Sequence, residues 1–140
     1  MAVFLIVASS VMAQNGQQLT SVTRHYKPGD TLRYVVTFDG DPNLDSVNIY
    51  LASQAVNPDQ SGLSNGFNIG RSKKIGPGTF EVEGEVPGNA ASGTYQLSSV
   101  NVRIGQFGAK GYDARQFRES ILLDNSSKYE FPALKSVAPQ

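Results

Sequence analysis

Short runs of alternating apolar and polar residues, separated by turn residues, recur along this sequence. Residues 31–39, TLRYVVTFD, alternate cleanly, as do residues 45–53, DSVNIYLAS, and residues 79–86, TFEVEGEV. A period of two is typical of a half-buried β-strand, and no window of ten residues has a helical period. The sequence therefore predicts an all-β chain. The side chains predicted to face the core in these runs are Leu32, Tyr34, Val36, Phe38, Val47, Ile49, Leu51, Phe80, Val82 and Val86.

The longest strand signal is GTYQLSSVNVRI, residues 93–104, in which the alternation shifts by one at Ser98-Ser99. We interpret the shift as a β-bulge, which inserts one extra residue into a strand. The predicted inward-facing set is Tyr95, Leu97, Val100, Val102 and Ile104. Weaker strand signals lie at residues 17–26, Phe67 to Ile69, residues 120–124 and the tail from Lys128 to Val137. Seven to nine short antiparallel strands with regular turns favour a Greek-key β-sandwich.

The N-terminus is typical of an export signal. An apolar run from Val3 to Ala8 is followed by small residues that end in Val11-Met12-Ala13, which predicts cleavage after Ala13. Residues 1–13 are then a signal peptide, and residues 14–140 are one domain that is secreted, periplasmic or on the cell surface. The run is too short to span a bilayer, so no membrane insertion is expected after cleavage. The alternative is a buried N-terminal strand, since no Lys or Arg precedes the run.

Charge and cysteine content exclude several classes of function. Twelve Lys and Arg balance twelve Asp and Glu, so the chain has no net positive charge to attract nucleic acid. The chain has no cysteine, which excludes disulfides, thiolate zinc sites and a cysteine nucleophile. The stability of an exported domain of this kind must therefore come from its hydrophobic core.

Two stretches resemble the immunoglobulin-like modules of bacterial exported and surface proteins. They are YKPGDTLRYVVTFDGDPNLDSVNIYL and GTFEVEGEVPGNAASGTYQLSSVNVRI, and the resemblance covers residues 20–125. In such modules a Gly-Asp turn opens the second strand, and a proline-ended strand leads into Gly-x-Tyr on the sixth. Tyr95 then corresponds to the tyrosine-corner residue, and Leu97 stands where an antibody domain has its second core cysteine. The resemblance implies an immunoglobulin-like fold with a scaffold, adhesion or binding role.

A cluster of oxygen-bearing side chains in FDGDPNLDS has the spacing of calcium ligands. Its members are Asp39, Asp41, Asn43 and Asp45. An EF-hand loop also requires glycine at its sixth position and glutamate at its twelfth, where this chain has Leu44 and Tyr50. The pattern therefore favours a plain hairpin loop, with a weak structural calcium site as the alternative. No other cofactor is predicted.

No catalytic signature is present in the sequence. The single histidine, His25, is next to a predicted strand end, and no Gly-x-Ser-x-Gly elbow occurs. Glu81, Glu83 and Glu85 share one face of a strand, which is typical of a solvated surface. We expect cross-strand ion pairs between these carboxylates and the basic residues of RSKK, residues 71–74. The chain is predicted not to be an enzyme.

Aromatic residues near one predicted loop are the candidates for ligand binding. The set is Tyr50, Phe107, Tyr112 and Phe117, and the loop is residues 105–117. Exposed rings there would stack on sugar rings, which gives a carbohydrate-binding module as one hypothesis. The alternative is that Phe107 and Phe117 only plug the end of the core.

Assembly with other proteins is the function that we favour. The tail LKSV, residues 134–137, repeats the pattern of LTSV, residues 19–22, and one terminus could pair with the sheet edge of a neighbour. We predict a non-catalytic structural or adhesive module whose partners are other protein modules or copies of itself. The alternative is a carbohydrate-binding module that binds a surface glycan.

Overall fold

The part of the chain that the structure describes contains nine β-strands, which form two sheets. That part is residues 24–54, 58–128 and 132–140 of a computed structural model. The strands are β1 (His25–Tyr26), β2 (Thr31–Thr37), β3 (Ser46–Ala52), β4 (Gly66–Ile69), β5 (Arg71–Gly76), β6 (Thr79–Glu85), β7 (Gly93–Arg103), β8 (Ala109–Asp113) and β9 (Ser120–Leu123). Short 3-10 turns occur at Pro58–Gln60, Gly105–Phe107 and Arg115–Phe117. The predicted all-β class is confirmed.

The larger sheet has the order β1-β9-β7-β3-β4, and β8 also pairs with β7. All its pairs are antiparallel except β1 with β9, which is parallel. Strand β7 is eleven residues long, so one of its edges can hold two partners. Its first half pairs with β9, with Tyr95 opposite Ile121, and its second half pairs with β8, with Val100 opposite Tyr112.

The smaller sheet has the order β2-β6-β5, with every pair antiparallel. Its register places Tyr34 opposite Val82, so the apolar residues of both strands face the same side. Since the core is one cluster with residues from both sheets, the sheets pack on each other through their apolar faces. The core positions predicted within residues 45–53, 79–86 and 93–104 are buried, except Ile104, which is described below. Tyr34, Val36 and Phe38 are half-buried and pack against this core.

The predicted β-bulge is present in strand β7. The register with β3 shifts so that Tyr50 is opposite Ser99 while Leu51 is opposite Leu97, which leaves Ser98 as the extra residue. The backbone oxygen of Ser98 accepts a hydrogen bond from the nitrogen of Ala114, at 3.0 Å. The bulge therefore anchors the segment that follows β8.

Two sequence predictions were wrong in the fold. Ile104 was predicted to be buried but is 44% exposed, because β7 ends at Arg103 and Ile104 begins the turn towards β8. The loop predicted at residues 105–117 contains strand β8, whose side chains are mostly exposed and carry no apolar alternation. Residues 71–76 form the edge strand β5, which lies beside β6 as the expected cross-strand pairs of RSKK require.

Several predictions lie partly or wholly outside the described residues. The predicted signal peptide, residues 1–13, is outside them, as is most of the first predicted strand, of which only His25–Tyr26 is described. The tail was predicted to add a strand, and its described residues 132–140 have no regular secondary structure. Within the described ranges, no helix is long and apolar enough to cross a membrane.

Candidate functional site

An apolar cleft opens between strand β2 and the segment that follows strand β8. Its volume is about 540 Å³, and buried core residues such as Ile49, Leu97 and Val100 form its floor. The residues that shape its walls are Tyr34 and Val36 on β2, Phe38 directly after β2, Tyr112 on β8, and Phe117 and Glu119 after β8. We refer to this site as the cleft.

The wall formed by β2 is an edge strand in the described part of the chain. Strand β6 is its only neighbour there. The nitrogen of Val86 donates to the oxygen of Asp30 at 2.9 Å, and the nitrogen of Phe38 donates to the oxygen of Gly78 at 2.7 Å. In an antiparallel pair, alternate residues bond the neighbouring strand. The even-numbered residues of β2 therefore bond β6, and the N–H and C=O groups of Arg33, Val35 and Thr37 point to the outer edge.

The aromatic rings of the cleft differ in how much of each is covered. The ring of Phe38 lies 6.0 Å from that of Phe80 and 5.8 Å from that of Tyr112, measured between centroids. The ammonium of Lys110 lies 5.0 Å from the centroid of the Tyr112 ring, close enough for a cation–π contact. Phe117, in contrast, is 63% exposed at the rim. Tyr112 is thus a packed wall residue, and Phe117 is the ring presented to solvent.

A hydrogen-bonded turn holds Phe117 in place. The carboxylate of Asp113 accepts a bond from the backbone nitrogen of Arg115 at 3.0 Å and from its guanidinium at 2.7 and 3.0 Å. These bonds stabilise the ionised form and lower the pKa of Asp113 to about 2, and the side-chain bond from Arg115 is the largest cause. The nitrogen of Phe117 donates to the oxygen of Ala114 at 3.1 Å, which closes the 3-10 turn.

The cleft contains one partly buried acid, Glu119. Burial raises its pKa above the usual range for glutamate, and the nearby charge of Arg24 partly offsets this rise. Burial also raises the pKa of Tyr34 on the opposite wall. The backbone oxygen of Glu119 accepts a hydrogen bond from the nitrogen of Leu97 at 2.9 Å, so the acid is tied to strand β7.

The four predicted ligand-binding rings do not form one site. Tyr112 and Phe117 both line the cleft. Tyr50 alternates with the buried Ile49 and Leu51, so it lies on the outer face of the larger sheet, against Gly66. The side chain of Phe107 lies outside the described part of the structure.

Sequence reasoning missed the contribution of β2 to this site. Tyr34, Val36 and Phe38 were predicted to be core residues, and they are also the wall of the cleft. Alternation shows which side chains face inward, but it carries no signal for whether a strand lies at the edge of its sheet. The polar outer face of β2 is equally compatible with an edge or a central position.

The predicted calcium ligands have separate partners. Asp41 accepts hydrogen bonds from Lys74 and from the nitrogen of Gly78, which lower its pKa, and Asp45 accepts one from the nitrogen of Gly105. Asp39 and Asn43, the other two, are exposed. In the described ranges, no group of three acidic, histidine or cysteine side chains is arranged to hold a metal ion. The calcium site stays a prediction, and these contacts tie the loop to two neighbouring turns.

The charged candidates for catalysis lie in surface ion pairs. The Nδ1 atom of His25 is 3.4 Å from the carboxylate of Asp124, and both side chains are largely exposed. Arg71 lies 3.7 Å from Glu83, which confirms the predicted pairing of that segment with the glutamates of β6. The shorter contact to Glu83, 2.7 Å, comes from Arg33 on β2 and was not predicted.

A sequon at Asn125-Ser126-Ser127 is closed to modification in the folded chain. Asn125 is 8% exposed, and its side-chain nitrogen donates to the oxygens of Ala90 at 2.7 Å and Gly88 at 3.1 Å. Both amide hydrogens are therefore used in holding the corner between β6 and β7. A glycan on this nitrogen would displace both bonds.

Comparison with known proteins adds no further constraint on the site. No protein-family model matches this chain, and no curated protein is significantly similar to it in sequence.

Proposed function

We propose that this chain is a non-catalytic, immunoglobulin-like module of an exported protein that mediates contacts with other proteins or with copies of itself. The module accepts an extended segment of its partner along the outer edge of β2. The observation that carries the proposal is that an apolar cleft lies beside an edge of β2 that has no neighbouring strand among residues 24–54, 58–128 and 132–140.

Two features support the immunoglobulin-like Greek-key arrangement. In that fold, strands B, E and D are neighbours in one sheet, and strands C, F and G are neighbours in the other. Here β2, β6 and β5 have the first order, and β3, β7 and β9 have the second. The hydroxyl of the fully buried Tyr95 donates to the oxygen of Ala91, four residues earlier, at 2.7 Å. This is the contact of a tyrosine corner.

Binding by strand addition uses the groups that β2 offers. Main-chain hydrogen bonds to the incoming segment supply affinity, and pockets for its alternate side chains supply specificity. The N–H and C=O groups of Arg33, Val35 and Thr37 are available in the described part of the chain for the first role. The cleft beside them, with Phe117 at its rim, fits the second, because apolar side chains of the segment can leave water there.

The carbohydrate-binding alternative has weaker support. A sugar platform requires the exposed face of an aromatic ring, and of the two rings in the cleft Tyr112 is in contact with Phe38 and Lys110. Phe117 is left as the single exposed ring at the rim. One ring gives a small stacking surface, whereas the cleft and strand edge together can contact a segment of several residues.

Selection of displayed peptides on the immobilised chain, followed by NMR mapping of the bound peptides, tests the proposal. We expect the selected peptides to shift the amide signals of Arg33, Val35 and Thr37. Val35→Pro removes an outward N–H without removing a bond to β6, a substitution that edge strands tolerate, and it should abolish binding. Phe117→Ala should weaken binding, and Tyr50→Ala, on the opposite face, should leave it unchanged.

The outcomes of this experiment are distinct. Peptides that shift only residues away from β2 would refute the proposal, as would a Val35→Pro variant that is folded by circular dichroism and binds normally. Chemical shifts at Phe117 on addition of oligosaccharides, with no response at the odd-numbered residues of β2, would favour the carbohydrate-binding alternative.

A further inference from the structure

Two positively charged side chains lie along the wall of the cleft that is formed by β8 and the residues after it. The ammonium of Lys110 lies 5.0 Å from the centroid of the Tyr112 ring, which lines the cleft. Arg118 lies between Phe117 and Glu119 in the chain, and both of these neighbours line the cleft while Arg118 itself is exposed. This wall therefore combines an apolar inner surface with a positively charged outer rim.

A third positive charge, that of Arg24, lies at the mouth of the cleft. Glu119 and Tyr34 line the cleft on opposite walls. Burial raises the pKa of each of them, and the positive charge of Arg24 opposes that rise in both. Arg24 is therefore close to both walls, and its own side chain is exposed. We refer to Arg24, Lys110 and Arg118 as the basic rim.

The positive charges of the basic rim are not compensated locally. Within residues 24–54, 58–128 and 132–140, none of the three rim side chains forms an ion pair. The cleft lining contains two acids, but the carboxylate of Asp113 is held by two hydrogen bonds from the guanidinium of Arg115. Glu119 is the other acid. In a chain whose formal net charge is zero, the cleft thus has a local excess of positive charge.

The backbone at Arg118 adopts a conformation that suits glycine better than arginine. Its φ is 54°, and in the described part of the chain it is the only residue other than glycine with a positive φ. In this left-handed region the Cβ atom crowds the following carbonyl oxygen, a contact that glycine avoids. The turn is held by the backbone, since the nitrogen of Arg118 donates to the oxygen of Arg115 at 3.1 Å. The turn therefore does not require arginine, and what the arginine adds at this position is its exposed charge.

We propose that the partner segment bound at the cleft is acidic, with Asp or Glu side chains that contact the basic rim on either side of an apolar side chain in the cleft. This inference rests on the proposed function and names the chemistry of the partner at the same site. Neighbouring side chains of an extended segment point to opposite sides, so an apolar residue can enter the cleft while the acids beside it stay at the rim. A recessed cleft between two walls fits a protruding side chain of a peptide better than it fits a flat lipid surface.

Three synthetic peptides with the same apolar residues test the charge preference. They are acetyl-Glu-Val-Glu-Leu-Glu-Val-amide and the versions with Gln or Lys in place of Glu. NMR titration of the full chain, followed at Phe117 and Glu119, should give the Glu peptide a dissociation constant about tenfold lower than that of the Gln peptide. The Lys peptide should bind more weakly still. An exposed ion pair changes an affinity by roughly 1.5- to 5-fold, so three such pairs together give about tenfold.

Neutralising the basic rim should remove this preference. The variant Arg24→Gln/Lys110→Gln/Arg118→Gln should bind the Glu peptide about tenfold more weakly. The loss should lie chiefly in the association rate, because charges at the rim of an interface act on association and on its salt dependence. The unchanged chain should lose affinity for the Glu peptide when NaCl is raised from about 0.05 to about 0.5 M, and the variant should respond little.

A matched control removes the same charge elsewhere on the surface. The variant Lys73→Gln/Arg103→Gln/Lys135→Gln neutralises three exposed side chains that also form no ion pair in the described ranges and do not line the cleft. Because its net charge equals that of the rim variant, any general effect of charge is the same in both. The control should bind the Glu peptide as the unchanged chain does.

Two single variants separate charge from packing. Arg118→Gly removes a rim charge and relieves the left-handed backbone, so it should be at least as stable to urea as the unchanged chain. It should nevertheless bind the Glu peptide about 1.5- to 5-fold more weakly. Glu119→Gln removes the negative charge inside the cleft and should strengthen binding of the Glu peptide, whereas a site for a basic partner would lose affinity.

The outcomes distinguish this inference from the proposed function. Equal or absent binding of the three peptides, tighter binding of the Lys peptide, or a rim variant that behaves like its control would overturn the acidic partner. Selected peptides that shift the outward amides of β2 would still support the proposed function. If the Glu peptide shifts the basic rim and leaves those amides unchanged, the inference stands and strand addition fails. Binding to phosphatidylglycerol vesicles without a response to the Glu peptide would overturn the peptide in favour of an anionic membrane.

Discussion

Gly84 on strand β6 controls how closely the two sheets approach, and its replacement by alanine gives the sharpest test of the packing. A Cβ atom at this position would lie 2.7 Å from the Cβ and 2.8 Å from the Cγ2 of Ile69, and 3.0 Å from its Cα. Ile69 is buried on strand β4 of the opposite sheet, so neither the side chain nor the backbone can retreat without moving a strand.

The expected cost follows from two opposing effects. Overpacking of a well-packed core costs about 1–3 kcal/mol. Replacing glycine with alanine also lowers the conformational entropy of the unfolded chain. Where the native backbone conformation tolerates alanine, this stabilises the folded state by about 0.4–1 kcal/mol. The net expectation for Gly84→Ala is a loss of about 1–2 kcal/mol in the free energy of unfolding.

Gly88 provides the matched control. A Cβ atom there would meet nothing within 4 Å, so Gly88→Ala should keep only the stabilising term and gain up to about 1 kcal/mol. Urea unfolding followed by circular dichroism measures both variants. With a slope of about 1.5 kcal/mol per molar, the midpoint should fall by about 1 M for Gly84→Ala and rise for Gly88→Ala. Shifts of the same sign would refute the argument that the sheets are in contact at this point.

Three further predictions concern hydrogen bonds and charge. Tyr95→Phe removes a buried donor to the corner before β7 and should cost about 1–3 kcal/mol by urea unfolding, whereas Tyr50→Phe on the outer face should change the stability by less than about 0.5 kcal/mol. Because the folded pKa of Asp113 is lowered to about 2, its contribution to stability is present above the unfolded pKa of about 4 and is lost as the pH falls from about 4 to 2. NMR titration should show this midpoint rising towards 4 in Arg115→Ala, and an unchanged midpoint would contradict the assigned cause. Asn125→Ala removes the two hydrogen bonds that the Asn125 side chain donates and should lower the free energy of unfolding by about 1–3 kcal/mol. If a chain glycosylated at Asn125 were fully folded, the assigned role of this side chain would be contradicted.

Alternation predicted the strands that have one buried face. Residues 31–39 and 45–53 contain β2 and β3, and the shift at Ser98 identified the bulge in β7, because burial of one face leaves a direct trace in the order of residues. Strand β8 was predicted as part of a loop, because its side chains are mostly exposed and burial leaves no such trace. Ile104 continued the pattern after the strand itself had ended.

The candidate site was harder to predict from the sequence than the strands were. Tyr112 and Phe117 were proposed as binding residues, and the structure brings these two together at the cleft. The opposite wall comes from β2, about 80 positions earlier in the chain, and its role depends on which strand lies beside it. Sheet order is a property of the whole fold, so no local pattern could have joined the two walls.

The parallel pairing of β1 with β9 sets the direction in which a pull along the chain would load the hydrogen bonds between these two strands. The nitrogen of Leu122 donates to the oxygen of Arg24 at 2.9 Å, and the nitrogen of Asp124 donates to the oxygen of Tyr26 at 2.8 Å. Because the strands run in the same direction, a pull on the chain before β1 against the chain after β9 slides one strand along the other. Both bonds then bear the load together and must break at the same moment. An antiparallel pair pulled from adjacent ends would open one bond at a time, at a lower force.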